Sequence, residues 1–152
     1  MSVERIFTRP PGGGPQVEHR SVQVVAGAGI EGDRYFAAQD EPGQNVTFVE
    51  AEEIEAFAAA QRQSLDLSVT GRNVVTRGIR LNHLVGREFT VGTLRFRGVE
   101  LCEPCLRFGE SLASDRLTPA QAVKHWVHRA GLRAHALSGG ELAVGVGVQG
   151  DA

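Results

Sequence analysis

The chain has 152 residues, a net charge of −2 and an isoelectric point of about 6.2, with 41% hydrophobic residues. This length suits one domain, residues 1–152, with a core that needs no disulfides. The weak net charge argues against a nucleic-acid partner, and no apolar run is long enough to cross a bilayer. Because the N-terminus lacks the charged-then-apolar order of a signal peptide, we expect a cytoplasmic protein without a membrane partner.

Short strands account for most of the predicted structure. Alternating or β-branched runs predict strands over residues 1–8, 17–25, 44–49, 88–91 and 94–97, with Gly92-Thr93 as a hairpin turn. A last hairpin is predicted from residues 133–137 and 142–148. Since the strands come as hairpins without βαβ alternation, the expected fold class is mainly β: a closed or nearly closed antiparallel β-barrel with two main peripheral helices.

The two helices are predicted over residues 51–61 and 119–130. Ile54 and Phe57 share one face of the first helix. The second begins at Thr118, which is followed by Pro119 and by Gln121 in the spacing of a capping box. In this helix Val123, Trp126, Val127 and Ala130 form the predicted buried stripe.

Two loops carry candidate binding residues. Residues 27–32 hold three glycines, can approach a ligand closely, and lead into Asp33-Arg34. Arg72-Asn73 lies next to Gly71 and offers many hydrogen-bond donors, and arginine suits anions. The alternative for Asp33 and Arg34 is a surface turn with a salt bridge.

Both cysteines of the chain, Cys102 and Cys105, lie in one stretch that is stiffened by Pro104. Two cysteines at this spacing in a cytoplasmic protein indicate a functional thiol, a metal site or an incidental structural pair. Nearby arginines would lower the pKa of a functional thiol. A metal site could add His125 and His128, although two intervening residues are fewer than is usual for zinc.

Several segments together resemble a MOSC domain, the C-terminal domain of molybdenum cofactor sulfurase, over about residues 17–148. These are Gly29–Tyr35, Gln44–Glu50, Arg72–Gly78, Leu101–Cys105, Gly131–Ala134 and Ser138–Glu141. The family fold is a β-barrel with peripheral helices. The resemblance implies sulfur or molybdenum chemistry, and it maps the signature cysteine of the family onto Cys105.

The resemblance implies that the thiol carries a persulfide or binds a metal, with Cys105 as the working sulfur and the metal ligand. Cys102 lies three positions earlier, nearer the strand, and is the candidate for a resolving or supporting thiol. A cysteine desulfurase, which is a pyridoxal phosphate enzyme, is then the expected sulfur donor. A molybdenum-cofactor enzyme or a metal–sulfur cluster is the expected acceptor, and bound molybdenum cofactor (molybdopterin) is the candidate cofactor.

The cofactor-binding residues follow from the same resemblance together with the need to stabilise a deprotonated sulfur. Arg34, Arg72 and Arg107 are the cationic candidates, while Asp33 and Asn73 would orient them or bind a pterin edge. The alternative for Asp33 and Asn73 is a rim salt bridge or a backbone cap.

One position departs from the family pattern, because the family often has arginine where this chain has Gly71. A competing hypothesis is a non-catalytic barrel that binds a small ligand or a protein. A third is a structural zinc protein.

Overall fold

The computed structural model describes residues 1–38 and 43–150. Eleven strands are present in this part of the chain: β1 Ser2–Thr8, β2 Val17–His19, β3 Ser21–Val25, β4 Gly29–Ile30, β5 Val46–Glu50, β6 Val74–Arg77, β7 Glu88–Val91, β8 Leu94–Leu101, β9 Leu132–Ala136, β10 Gly140–Ala143 and β11 Val148–Gly150. Three α-helices accompany them, α1 Ala51–Ala60, α2 Leu106–Leu112 and α3 Pro119–Trp126, with a short 3₁₀ helix at Leu81–Leu84.

The strands form one eight-stranded sheet, in the order β11-β7-β8-β9-β5-β6-β1-β2, and one three-stranded sheet, β10-β3-β4. The large sheet curls so that β1 approaches β11: Ser2 bridges Gly147, and the Val148 N–H donates to the Met1 carbonyl. The result is a mainly β, barrel-type fold that is not fully closed, and the predicted fold class is confirmed.

Two hydrophobic clusters lie on opposite sides of the large sheet. The inner cluster fills the barrel and is centred on Phe48, Phe89 and Phe96, whose rings lie 5.4–5.7 Å apart. The outer cluster packs the helices on the sheet, with Phe57 and Trp126 fully buried at its centre. Residues from β5 point alternately into both clusters, because successive side chains of a strand face opposite sides.

Local sequence signals predicted several elements correctly. The first helix ends one residue earlier than predicted, and the hairpin of β7 and β8 turns at Gly92-Thr93. The third helix begins with the predicted capping box, in which the Thr118 hydroxyl accepts from the Gln121 N–H. Within the described residues, no helix combines the length and the apolar character needed to span a membrane.

Other expectations need correction. The prediction that residues 133–137 and 142–148 form a hairpin is wrong. In the structure β9 pairs with β8 and β5, while β10 pairs with β3. The large sheet also has one parallel pair, β5 with β6. A third helix, α2, joins the two main helices that were predicted. The third helix stops at Trp126, so Val127 is exposed instead of buried.

Candidate functional site

The candidate site lies where four neighbouring strands of the large sheet end or begin. Residue Leu101 at the end of β8 pairs with Leu132 at the start of β9, and Phe48 in β5 pairs with both Leu132 and Val74. Near these pairs, side chains of the strands and of the segments that flank them line one cavity at the rim of the barrel. The segments that follow β8 and precede β6 contribute Cys102 and Arg72 to this rim.

Two connected cavities form a cleft at this rim. The inner cavity has a volume of about 460 Å³ and the outer cavity one of about 660 Å³. Six residues line both: Arg34, Tyr35, Gly71, Arg72, Cys102 and Arg133. The outer cavity adds Arg9, Arg107 and Cys105, and among the described residues that line the cleft, Glu103 is the single carboxylate. We call the space and these lining residues the cleft.

Cys102 is a buried thiol on the wall of the cleft. Its side chain is 2% exposed, and its backbone N–H donates to the Gly131 carbonyl at 2.8 Å. Gly131 accepts this bond in a backbone conformation (φ +115°) where a side chain would also collide with the Phe48 carbonyl. The position of Cys102 is therefore fixed by the meeting of β8 and β9.

Burial raises the pKa of the Cys102 thiol above its ordinary value, while the guanidinium groups of Arg72 and Arg133 act in the opposite direction. Both arginines line the same cavity as Cys102. We expected arginines to lower the pKa of a functional thiol, and at Cys102 this effect is outweighed by desolvation. A negatively charged sulfur here would nevertheless have two cations beside it.

Cys105 is an exposed thiol at the outer edge of the same cleft. It is the residue before α2, and its carbonyl accepts from the Gly109 N–H at 3.0 Å. Both cysteines have free thiols. The structure brings the two candidate thiols to one cleft at different depths, and the assignment of Cys105 as the working sulfur and metal ligand stays a prediction.

Arg72 is the most enclosed of the predicted arginines. Its Nε donates to the Ala130 carbonyl at 2.8 Å, and its guanidinium carbon lies 4.9 Å from the centre of the Phe108 ring. Burial lowers the pKa of Arg72. No carboxylate of the described residues forms an ion pair with it, so the charge in this position is available to an anionic ligand.

The other predicted arginines lie at the mouth of the cleft. Arg34 is exposed, lines both cavities and stacks its guanidinium 4.7 Å from the centre of the Tyr35 ring. Arg107 is exposed on α2 and lines the outer cavity. The glycine-rich loop at residues 27–32, which was expected to approach the ligand, is absent from the described lining of both cavities.

Asp33 and Asn73 are buried residues that hydrogen-bond to the backbone. Asp33 accepts from the N–H groups of Arg9 and Tyr35, which ties the loop after β4 to the end of β1. Asn73 accepts from the Thr47 N–H at 3.0 Å and donates to the Phe7 carbonyl at 3.1 Å, which links β5 with β1. These contacts correspond to the backbone-capping alternative, and neither residue lines the cleft as described.

The histidines of the zinc hypothesis have other partners. The Nδ1 atom of His128 lies 2.6 Å from the Glu103 carboxylate, and the backbone N–H of His128 donates to the same carboxylate. The His125 ring packs edge-on against Phe57, and burial lowers its pKa. Within residues 1–38 and 43–150, no three His, Cys, Asp or Glu side chains cluster in a way that could hold a metal ion.

Arg133 is a cleft residue that the sequence analysis did not assign. It occupies the second position of β9, between the buried residues Leu132 and Ala134, and pairs across the sheet with Thr47. The alternation of β9 predicts that Arg133 points away from the barrel interior. Arg133 lies beside Cys102 because the end of β8 pairs with the start of β9. This long-range pairing is not visible in a local sequence pattern.

The model of the family described as "MOSC domain" matches residues 33–149, which is most of the chain. The chain belongs to the MOSC domain family. The expected resemblance is thereby confirmed, and Cys102, Cys105 and all cleft arginines except Arg9 lie within the matched region. No curated protein matches this MOSC chain.

Solved structures confirm the fold at low sequence identity. The YuaD protein from Bacillus subtilis is 17% identical, with a TM-score of 0.82 over 97% of this chain and 93% of that one. YiiM from Escherichia coli is 16% identical, with a TM-score of 0.68 over 100% of this chain and 70% of that one. YiiM from Geobacillus stearothermophilus is 13% identical, with a TM-score of 0.71 over 99% and 75%.

Gly71 is the position where the family often has arginine. It lines both cavities and has a positive φ of +72°, and an added Cβ would meet no atom within 4 Å. Space is therefore available for a side chain, but this backbone conformation strains any residue other than glycine. In this chain Arg72 and Arg133 provide the positive charge at that end of the cleft.

Proposed function

We propose that this MOSC protein is a cytoplasmic sulfur carrier that holds sulfur as a cysteine persulfide in the cleft. One observation carries the proposal: a buried and an exposed free thiol open onto the same arginine-lined cleft. A persulfide is useful as a carrier only if it forms at an accessible thiol and then survives. Guanidinium groups next to the sulfur stabilise its anionic form.

The proposed donor is a cysteine desulfurase, and the proposed acceptor is a molybdenum-cofactor enzyme or a metal–sulfur cluster in assembly. The charge of the cleft supports an anionic acceptor or ligand, because Arg9, Arg34, Arg72 and Arg107 line it without an ion pair to any carboxylate of the described residues. Clefts lined by one sign of charge concentrate ligands of the opposite sign.

The test of this function is persulfide loading. Purified protein is incubated with a cysteine desulfurase and cysteine, and protein-bound sulfane sulfur is measured by mass spectrometry. The double variant Cys102→Ser/Cys105→Ser is the matched control, because these two residues are the only cysteines of the chain. We expect loading of the wild type well above this control. Equal signals from both proteins, with desulfurase and with inorganic polysulfide, would exclude the sulfur-carrier function.

A second candidate function is stable binding of the molybdenum cofactor, and the volume of the inner cavity and the donor set of the whole cleft favour it. Its volume of about 460 Å³ falls in the range of small-molecule sites. Cys102 and Cys105 offer sulfur ligands, and Arg34, Arg72 and Arg133 suit a phosphate. Gln44, which lines the inner cavity, has a buried side-chain oxygen without a hydrogen-bond partner among the described residues, which suits an N–H edge.

The residues of the cleft therefore fit this cofactor, which when bound would supply redox chemistry at molybdenum. The measurement is molybdenum content per chain together with pterin fluorescence of the extracted cofactor. Arg72→Met should lower both, whereas Arg77→Met, which removes an arginine bound to Glu4 and Glu55 outside the cleft, should leave both unchanged. Absence of molybdenum and pterin in the wild type from molybdenum-fed cells would exclude this candidate.

A further inference from the structure

The two thiols of the cleft differ in the partners that can reach them. Cys105 is exposed, and its neighbour Leu106 is 61% exposed, so the surface around this sulfur is open. Cys102 is 2% exposed and can be reached only through the cleft. A persulfide carried on another protein must touch the sulfur that it loads, and only Cys105 meets that condition.

The same two thiols differ in how well they would retain a sulfane sulfur. Arg72 and Arg133 line the same cavity as Cys102, and both guanidinium groups favour a negatively charged sulfur there. Because Cys102 is reached through the cleft, only thiols small enough to enter the cleft could remove a sulfane sulfur from it. Sulfur loaded at the exposed Cys105 would lack this enclosure.

The stretch between the two cysteines limits how far apart their sulfurs can lie. Residues 102–105 have no regular secondary structure, and three residues of chain reach at most about 11 Å. The stretch is held at both ends, by the N–H of Cys102 on Gly131 and by the carbonyl of Cys105 on Gly109. The Glu103 carboxylate between the cysteines is bound by the N–H and ring of His128.

We propose that the cleft works as a two-thiol relay in which sulfur is received at Cys105 and held at Cys102. This inference rests on the proposed sulfur-carrier function. In the first step the Cys105 thiolate attacks the terminal sulfur of the donor enzyme's persulfide, and the donor cysteine leaves as a thiolate. In the second step the Cys102 thiolate attacks the terminal sulfur on Cys105, the Cys105 sulfur–sulfur bond breaks, and Cys105 leaves as a thiolate. Each step exchanges one sulfur–sulfur bond for another, so no oxidant or reductant is consumed.

The experiment compares donors of two sizes on wild type, Cys105→Ser and Cys102→Ser. The large donor is a cysteine desulfurase with cysteine, and the small donor is inorganic polysulfide. Trypsin releases both cysteines on one peptide, Gly98 to Arg107, and fragmentation between them assigns the sulfur. With the desulfurase we expect sulfur on Cys102 in the wild type, on Cys105 in Cys102→Ser, and at least tenfold slower loading of Cys105→Ser. With polysulfide, Cys105→Ser should load Cys102.

Three results would overturn the relay. The first is loading of Cys105→Ser by the desulfurase at the wild-type rate, which leaves the sulfur-carrier function intact. The second is a wild type that keeps its sulfur on Cys105. The third is release of sulfide with a Cys102–Cys105 disulfide, because this requires attack on the inner sulfur instead. A wild type that loads from neither donor refutes the carrier function itself.

A third variant, Arg133→Met, distinguishes the transfer of sulfur to Cys102 from its reception at Cys105. It removes one of the two guanidinium groups that favour a negatively charged Cys102 sulfur, while Cys105 remains exposed. We expect first-step loading of Cys105 within twofold of the wild type, and transfer to Cys102 slowed tenfold or more, with Arg133→Lys restoring part of the rate. Transfer should also accelerate with rising pH, since only the thiolate of Cys102 attacks. An unchanged transfer rate in Arg133→Met would contradict the proposed role of this residue.

Discussion

Two groups of arginines in this protein have opposite surroundings, and Arg133, which lines the cleft and pairs with Glu100, belongs to neither. On one face of the barrel, which we call the ion-paired face, Arg5, Arg77 and Arg80 each contact two carboxylates. In the cleft, Arg9, Arg34, Arg72 and Arg107 form no ion pair with any carboxylate of the described residues. The first region connects strands and helices of the folded chain, whereas the second leaves its charge to a ligand.

Two adjacent residues show a similar contrast. Arg72 lies in the wall of the cleft. Asn73 is buried in the strands β1, β5 and β6, which we call the frame, and its side chain joins the start of β6 to β5 and β1. Burying a cation without a counter-ion costs stability, and Arg72 shows this cost as a lowered pKa. The contrast teaches that charge is placed in the cleft at the expense of stability, as functional sites commonly require.

Removing the amide of Asn73 gives the largest expected effect and sharpens the contrast between the two neighbours. Asn73→Ala leaves the Thr47 N–H and the Phe7 carbonyl without their side-chain partners in a buried position. Each unsatisfied buried group costs about 1–3 kcal/mol, so the free energy of unfolding should fall by about 3 kcal/mol. Urea unfolding followed by circular dichroism measures it. A loss below about 1 kcal/mol would show that water replaces these bonds and that the frame is looser than described.

Neutralising Glu50 tests the carboxylates of the ion-paired face. Glu50 is 5% exposed and accepts from the Leu81 N–H at 3.1 Å, and burial raises its pKa. The folded state therefore binds the Glu50 proton more tightly than the unfolded state, and stability declines as pH rises from the ordinary value of 4.5 through the raised one. Glu50→Gln removes this decline and retains an acceptor for Leu81.

The measurement for Glu50→Gln is the difference in urea midpoint between variant and wild type from pH 4 to pH 7. The difference should move in favour of the variant as pH rises. The total change in stability that this difference reports between pH 4 and pH 7 should be smaller than the loss in Asn73→Ala, because Glu50→Gln retains an acceptor for the Leu81 N–H. A difference that moves in favour of the wild type would mean that the Arg80 ion pair outweighs burial at this site.

Sequence patterns predicted those elements whose cause is local. The capping box at Thr118 and the turn at Gly92-Thr93 are fixed by neighbouring residues, and both are present in the structure. The pairing of β10 with β3 joins residues more than a hundred positions apart, which no local pattern encodes. The predicted hairpin of the last two strands was wrong for this reason.

The candidate site could be predicted in part for the same physical reason. The two cysteines and Arg72 stand out as residue types in unusual contexts, and all three line the cleft. Their depths could not be predicted, because burial of Cys102 depends on how β8 meets β9. The role of Asn73 as a binding residue stays a prediction, and its amide also joins β5 to β1, since a buried cross-link and a ligand contact use the same group.

Replacing Arg72 with methionine tests whether the cleft carries an uncompensated charge. Methionine retains an apolar chain beside Phe108 and removes a buried cation, at the loss of the hydrogen bond to the Ala130 carbonyl. These effects oppose each other, so stability should change by no more than about 1 kcal/mol. Inorganic phosphate should raise the Tm of the wild type more than that of the variant. A loss of several kcal/mol would place Arg72 in the frame instead of the cleft.

Replacing Arg77 with methionine has the smallest expected effect and completes the comparison. Arg77 contacts Glu4 and Glu55 at 2.8 Å, and its side chain is 39% exposed, so solvent screens both pairs. Exposed ion pairs contribute about 0.2–1 kcal/mol, and the variant should lose stability in that range. In 1 M sodium chloride the loss should largely vanish, because the screening length falls to about 3 Å. Phosphate should raise the Tm of Arg77→Met as much as that of the wild type, in contrast to Arg72→Met. If Arg77→Met lost the phosphate effect as well, the anion would be bound by net charge and not by the cleft, and the distinction between the two sets of arginines would fail.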